Sequence, residues 1–250
     1  MTSCLLWTIC GRKRQSYKEK CYMIRWFCNK SLSLQAETAD LSCKLNESFD
    51  DMNVAIIQYN AGNVCSVEYA LRRLGVEPVL TADPVLLQKA DRVIFPGVGE
   101  AAYTMDYLHR SGLDRLIKGL QQPLLGICLG MQLMCSHSEE GDVDCLDIFH
   151  VPVKRFIPSA EGHEKVPHMG WNTLEQTRSP LFKGFDAEEY VYFVHSYYVP
   201  VNEATAAVTR YVHPFSAALQ QGNFFATQFH PEKSGSVGER ILRNFLDEAL

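Results

Sequence analysis

A cysteine between two glycines stands in the middle of the chain. Cys128 follows a short apolar run and lies between Gly126 and Gly130, as in the nucleophile elbow that joins a strand to a helix. Such a turn places the side chain at a helix N-terminus, where the dipole and the free N–H groups favour the reactive thiolate. The pattern predicts a nucleophile, and the alternative is a small buried core cysteine.

A cysteine nucleophile needs a base that a third group holds in one orientation. His230 directly follows the apolar run Phe224–Phe229, and Glu232 stands two residues later. We therefore expect His230 to act as the base and Glu232 to orient it, at the C-terminal end of a strand. His195 also follows an apolar strand and is the main rival base, but it has no acid two residues on.

The elements that must position these groups are indicated by hydrophobic periodicity. A fully buried strand is predicted at Val54–Gln58, and short strands at Pro78–Thr81, Arg92–Phe95 and Pro123–Ile127. Helical spacing is found at Val67, Ala70, Leu71 and Leu74, over residues 100–118, and at Met131–Ser136. Further β-type runs are Tyr190–Val199, Ala206–Val212 and Phe224–Phe229. The alternation predicts an α/β fold, with a mixed, mostly parallel sheet, helices on both faces and an added antiparallel portion.

The first 51 residues differ from the rest, because they are rich in basic residues and sustain neither helical nor strand periodicity. Met52 directly precedes a buried-strand run. We predict that Met52 is the functional start, that residues 1–51 are an upstream extension with little fixed structure, and that residues 52–250 form one domain. A genuine accessory segment is the alternative.

Composition limits the remaining classes of function. The net charge of -5 gives no reason to expect a nucleic-acid or anionic-membrane partner. Five of the nine cysteines precede residue 52, and none forms a C-x-x-C pair. We therefore expect a reduced, cytoplasmic protein without a metal site or a cofactor.

Several segments together resemble one enzyme family. Residues 126–132 (Gly-Ile-Cys-Leu-Gly-Met-Gln) and 229–232 (Phe-His-Pro-Glu) resemble the signature of the triad (class I) glutamine amidotransferases. Residues 96–99 (Pro-Gly-Val-Gly) resemble that family's oxyanion loop. Residues 59–63, 166–172, 193–197 and 233–234 narrow the resemblance to the glutaminase subunits of imidazole glycerol phosphate synthases, over residues 52–250. Departures at Cys145, Asp147 and Ala226, where glycine-like residues are usual, concern local loop shape only.

The resemblance implies a flavodoxin-like class I amidotransferase fold and hydrolysis of glutamine to glutamate and ammonia by a triad of Cys128, His230 and Glu232. It implies oxyanion donors at the N–H of Leu129 and in the turn formed by Gly97 and Val98. It implies glutamine-binding roles for Gly99, Gln132, Ser196 and Tyr197. Two glycines around Val98 would make a partner-triggered flip of this loop sterically easy.

The resemblance also implies a partner, a (β/α)8-barrel cyclase subunit that would use the ammonia to make imidazole glycerol phosphate and an aminoimidazole carboxamide ribotide in histidine biosynthesis. The residues expected to face this partner in a heterodimer are Asn63, Met169, Trp171 and Lys233. A barrel typically needs about 250 residues of its own, so the cyclase must be a separate chain.

Three other functions stay open at this point. The chain could be the glutaminase subunit of another amidotransferase, serving anthranilate, pyridoxal phosphate or nucleotide synthesis. It could be a free-standing cysteine hydrolase of γ-glutamyl compounds, which would need no partner. A non-enzymatic scaffold is the third alternative, although a scaffold has no need of an intact Cys128, His230 and Glu232.

Overall fold

The computed structural model describes residue 49 and residues 52–59, 64–158, 164–186 and 188–247. The predictions for the N-terminal extension lie outside these residues, except at Phe49. Phe49 is buried, its carbonyl accepts a hydrogen bond from the Met52 N–H at 2.9 Å, and the Arg243 guanidinium lies over its ring. The domain boundary at residue 52 stays a prediction.

A central sheet of seven strands carries the fold. Its strands are β1 (Val54–Ile57), β2 (Val79–Thr81), β3 (Arg92–Phe95), β4 (Leu124–Ile127), β11 (Thr205–Arg210), β12 (Pro214–Gln221) and β13 (Phe224–Thr227). They lie in the order β11-β12-β13-β4-β3-β1-β2. The five strands from β13 to β2 are parallel, in the flavodoxin-like order 2-1-3-4-5, whereas β12 and β11 add an antiparallel edge.

Helices cover both faces of this sheet. Alternate residues of a strand point to opposite faces, so Val54 and Ile56 join one hydrophobic cluster and Ala55 and Ile57 the other. The first cluster contains side chains of α1 (Val64–Arg73) and α6 (Gly235–Asp247). The second contains side chains of α2 (Pro84–Lys89), α3 (Ala101–Ser111), α4 (Leu113–Gly119) and α5 (Leu129–Leu133). The predicted α/β class and the coverage of both faces are confirmed.

Two smaller sheets flank the cysteine end of the central sheet. One contains β5 (Cys135–Ser138), β6 (Val143–Asp144), β7 (Phe149–Arg155) and β10 (Tyr197–Tyr198), in the order β10-β7-β5-β6. The other is an antiparallel pair, β8 (His168–Thr173) and β9 (Tyr190–His195). Short 3-10 helices lie at Pro180–Phe182 and Pro231–Lys233.

Three predicted elements need correction. The helix predicted at Met131–Ser136 ends at Leu133, and the chain continues as β5, which pairs with β7 and β6. The helix predicted over 100–118 is two helices, because Gly112 adopts a φ of 74° between them. The strand predicted at Tyr190–Val199 is divided into β9 and β10 at Ser196.

None of the helices in the described part of the chain combines the length and the apolar character needed to cross a bilayer.

Candidate active site

Cys128 lies at a sharp turn between β4 and α5. Its φ of 54° and ψ of -108° are unusual for a residue with a side chain, and its N–H donates to the Thr227 carbonyl at 2.7 Å. The following glycine is required by close packing, because a β carbon at Gly130 would lie 2.0 Å from the Phe95 carbonyl oxygen. The local geometry is that of a nucleophile elbow.

His230 follows β13 and is held by Glu232. The His230 Nδ1 atom lies 2.7 Å from the Glu232 carboxylate, and both side chains are buried. The His230 N–H donates to the Tyr192 carbonyl, and its own carbonyl accepts from the Ser234 hydroxyl, which fixes the backbone on both sides. Because Nδ1 is bonded to the carboxylate, Nε2 is the ring nitrogen left for a reacting group, and it has no hydrogen-bond partner within the described structure.

The electrostatics of His230 link it to the cysteine. Burial lowers the pKa of the imidazole, but its electrostatic interactions with Cys128 and Glu232 raise that pKa more strongly, to about 10. The ring is therefore an imidazolium at neutral pH when Cys128 is a thiolate. Such a pair supplies a nucleophile and a proton donor at the same place.

Both residues line one cavity of about 350 Å³. The predicted site residues that line it are Val98, Gly99, Cys128, Leu129, Gln132, Ser196, Tyr197, His230 and Lys233. Glu232 lies behind His230, and Met169 and Trp171 are exposed on β8. Asn63 lies outside the described residues.

Comparison with known proteins assigns the chain to a family. Residues 51–249 match the family described as glutamine amidotransferase class-I. The chain belongs to that family. The prediction of an amidotransferase from the two signature segments is therefore confirmed.

Two relatives of this amidotransferase carry the same name. The chain is 68% identical to imidazole glycerol phosphate synthase subunit HisH of Bacteroides thetaiotaomicron, over 196 residues that cover 78% of this chain and all of the relative. It is 47% identical to the protein of the same name from Idiomarina loihiensis, over 200 residues that cover 80% of this chain and all of the relative. The predicted resemblance to this subfamily is confirmed.

Solved structures show the same fold at lower identity. A putative GMP synthase component from Thermoplasma acidophilum superposes with a TM-score of 0.60 at 23% identity, covering 78% of this chain and 92% of the other. A structure described as a glutamine amidotransferase also gives a TM-score of 0.60, at 21% identity, covering 78% and 98%. The predicted amidotransferase fold is confirmed.

Residues 96–99, the predicted oxyanion loop, pack against the turn that carries Cys128. A β carbon at Gly97 would lie 2.3 Å from the Gly130 nitrogen, so this glycine allows the two backbones to meet. Gly99 adopts a φ of 129°, a conformation that residues with side chains rarely adopt. The Tyr59 hydroxyl donates to the Pro96 carbonyl and ties the start of the loop to the end of β1. Burial raises the pKa of Tyr59, so the hydroxyl keeps the proton that it donates.

The rival base His195 also lines the cavity, but both of its ring nitrogens already have hydrogen-bond partners. Its Nδ1 donates to the Tyr197 carbonyl at 2.7 Å, and its Nε2 lies 2.9 Å from His168 Nδ1. Burial lowers the pKa of His195 to about 3, so the ring stays neutral at physiological pH. These contacts favour His230 over His195 as the base.

Sequence reasoning missed two polar residues of the site. Glu140 lines the cavity, and burial raises the pKa of its carboxyl, although the Ala101 N–H donates to it at 3.0 Å. Gln228 is buried, accepts from Gln132 Nε2 at 2.9 Å, and directs its own amide towards the Cys128 sulfur at 3.8 Å. Glu140 has no motif to mark it, whereas Gln228 lies two residues before His230, within the apolar run Phe224–Phe229 that precedes the predicted base.

Proposed function

We propose that this chain is the glutaminase subunit of an imidazole glycerol phosphate synthase, and that Cys128, His230 and Glu232 are its catalytic triad. One observation carries the proposal: a single cavity is lined by both Cys128 and His230. The His230 Nε2 atom has no hydrogen-bond partner within the described residues, and its Nδ1 atom is bonded to the buried Glu232 carboxylate. The relatives at 68% and 47% identity, which this chain covers over their whole length, support the particular synthase.

Hydrolysis of glutamine begins at the Cys128 sulfur. The thiolate attacks the side-chain carboxamide carbon, and a C–S bond forms while the carbonyl oxygen becomes an oxyanion. The C–N bond then breaks, and the proton on His230 Nε2 passes to the nitrogen, which leaves as ammonia. Water next gives a proton to His230 and attacks the thioester carbon, the C–S bond breaks, and glutamate leaves.

The oxyanion needs preorganised donors. The N–H of Leu129 is the first of α5 and has no acceptor within the helix, so it is free to point at the oxyanion. The second donor is assigned to the turn of Gly97 and Val98, which packs on the same helix start. Loss of one such donor in other enzymes costs about 3 to 4 kcal/mol.

The remaining polar groups of the cavity suit the two ends of glutamine. Glu140 supplies a carboxylate for the substrate ammonium, and Gln132, Ser196 and Tyr197 supply the other polar groups that line the cavity. Gly99 lines the cavity with backbone atoms alone, since it has no side chain.

The proposed partner is a (β/α)8-barrel cyclase that forms a heterodimer with this chain and receives the ammonia. Met169 and Trp171 expose 63% and 55% of their surface on β8, and such exposed aromatic and methionine side chains are enriched at protein interfaces. Lys233 lies at the cavity wall directly after the triad. These residues support a docking face next to the glutaminase cavity.

Glutamate release tests the proposal. It is measured for the wild-type chain alone and with the cyclase subunit of the Bacteroides thetaiotaomicron synthase loaded with its ribulosyl-aminoimidazole-carboxamide nucleotide, with Cys128→Ala as the control. We expect little release alone, a large rise with the loaded cyclase and none in the variant. High activity without the cyclase would instead indicate a free-standing hydrolase, and activity in Cys128→Ala would refute the nucleophile.

A further inference from the structure

A chain of hydrogen bonds begins at Asn172 on β8 and runs into the interior of the domain. The orientation of the Asn172 amide is fixed, because its oxygen accepts from the Thr173 N–H at 2.9 Å and its nitrogen donates to the Arg210 carbonyl at 2.9 Å. The same nitrogen lies 3.4 Å from His168 Nε2. That ring nitrogen therefore faces a donor and must carry a lone pair.

The proton positions of the two histidines follow from their neighbours. A carbonyl can only accept, so His195 Nδ1 carries the hydrogen that is shared with the Tyr197 oxygen. Since burial lowers the pKa values of His195 and His168 to about 3 and about 4, both rings are neutral. His195 Nε2 then accepts from the Nδ1–H of His168 at 2.9 Å. All hydrogen bonds run in one direction, from Asn172 to the Tyr197 carbonyl.

The chain of bonds ends at a residue of the cavity. The Tyr197 carbonyl also accepts from Gln132 Nε2 at 3.1 Å, and the same amide nitrogen donates to Gln228 at 2.9 Å. Both amide hydrogens of Gln132 are therefore used within the protein. Its carbonyl oxygen is the part of the side chain left for a substrate, and its orientation depends on the position of the Tyr197 carbonyl.

The strand that carries His168 has two faces. His168 is buried, directly opposite His195 in the β8–β9 register, whereas Met169 and Trp171 are exposed on the other face. The His168 ring is stacked between Phe193 and Tyr211, with ring centroids 4.8 Å and 4.1 Å away. A shift of β8 would thus move the His168 ring against His195 rather than be absorbed in a void.

We propose that His168 and His195 are a positioning pair, which orients Gln132 for glutamine and couples that orientation to docking of the partner on the exposed face of β8. Neither ring reacts with the substrate. The inference rests on the proposed function, because it requires glutamine in the cavity and a protein partner on β8.

Substitutions of His168 test the pair in the complex with the cyclase subunit used above. His168→Phe keeps an aromatic ring between Phe193 and Tyr211 but removes the donor to His195. His168→Asn retains an amide nitrogen near the Nδ1 position and is the conservative variant. His150→Phe, at an exposed histidine of β7, is the matched control.

We expect His168→Phe to raise the KM for glutamine about tenfold and to reduce the stimulation by the cyclase, with the rate of Cys128 alkylation unchanged. His168→Asn should recover most of both quantities. A wild-type KM and stimulation in His168→Phe would overturn the proposal, as would equal impairment of both variants with lowered melting temperatures. If wild type itself shows no stimulation, the proposed function fails instead.

If His168→Phe does not fold, a measurement on the wild-type protein tests the positioning pair instead. Long-range ¹⁵N–¹H correlation spectra report the tautomer of each histidine. We expect His168 and His195 as neutral Nδ1–H tautomers at pH 7, with shifts that change when the cyclase is added. The proposal would be overturned by an Nε2–H tautomer or a charged ring in either histidine. It would also be overturned by chemical shifts that do not change when the cyclase is added.

Discussion

His230 Nδ1 lies 2.7 Å from Glu232 Oε1, and the two side chains expose only 2% and 3% of their surface. A carboxylate in this position fixes the ring, selects the tautomer and stabilises the imidazolium that forms during proton transfer. The second oxygen, Glu232 Oε2, has no partner within the described residues, so the histidine is the principal group that stabilises this buried charge.

Loss of the Glu232 charge should therefore impair the chemical step. We expect Glu232→Gln to lower the kcat of cyclase-stimulated glutamate release by about 10² to 10⁴, with a much smaller effect on KM. Glu203→Gln, at an exposed glutamate, is the matched control. A Glu232→Gln enzyme with wild-type kcat would show that the carboxylate is structural only.

The raised pKa of His230 predicts how stability depends on pH. The pKa rises from 6.5 to about 10 on folding, because the attraction to Cys128 and Glu232 outweighs burial, which acts in the opposite direction. A group with a raised folded-state pKa contributes its full stability below pH 6.5, and the contribution is lost as pH rises towards 10.

Urea unfolding of wild type and His230→Gln checks this dependence. We expect the difference in unfolding free energy between the two proteins to be largest below pH 6.5 and to shrink steadily up to pH 10. A difference that stays constant over this range, or that grows with pH, would contradict the assignment of the raised pKa to His230.

The strand and helix predictions succeeded where the signal is local. β1, β3 and β4 are short apolar runs, buried on both sides, and the sequence alone located them within one residue at each end. The helix predicted after Cys128 was wrong beyond Leu133 for a non-local reason. In the parallel β5–β7 pair, Cys135 pairs with Phe149 and His137 with Pro152, and no periodicity near residue 135 encodes these partners from a later strand.

The residues of the site also differ in how much local sequence reveals about them. Cys128 has its own glycine-flanked motif, and His230 and Glu232 share another, so a few neighbouring residues suffice to predict each of them. Glu140 has no such motif, and His168 lies in residues 166–172, which carried the family resemblance but gave the ring no role. Only tertiary packing brings Glu140 to the cavity and the His168 ring behind it. The oxyanion donors were inferred from the family, because a backbone N–H leaves no trace in the residue types.

Close packing at Gly97 predicts a second effect on the chemical step. A β carbon there would lie 2.3 Å from the Gly130 nitrogen and 2.6 Å from the Leu129 β carbon, so the oxyanion loop must move away from α5 in Gly97→Ala. We expect kcat to fall by about 10² to 10³, the loss associated with one oxyanion donor.

The control is Gly119→Ala, where an added β carbon meets no atom within 4 Å. Melting temperatures of the two variants separate loop displacement from unfolding. A Gly97→Ala enzyme with an unchanged kcat would mean that the loop is not in its reactive position, or that its donor is not needed.

The exposed face of β8 predicts a residue that matters for binding rather than for chemistry. Trp171 exposes 55% of its surface and contacts Tyr192 edge-on, with ring centroids 5.7 Å apart. If the cyclase covers this ring, Trp171→Ala should cost about 2 kcal/mol of binding free energy or more, which corresponds to a Kd roughly 30-fold higher. Calorimetric titration of the chain with the cyclase subunit measures the change.

Val85→Ala removes an equally exposed apolar side chain on α2 and is the control, since it lies outside the β8–β9 pair. Equal Kd values for both variants would place the cyclase on another face. The contacts from β8 to Gln132 could then not report cyclase binding to the glutamine site.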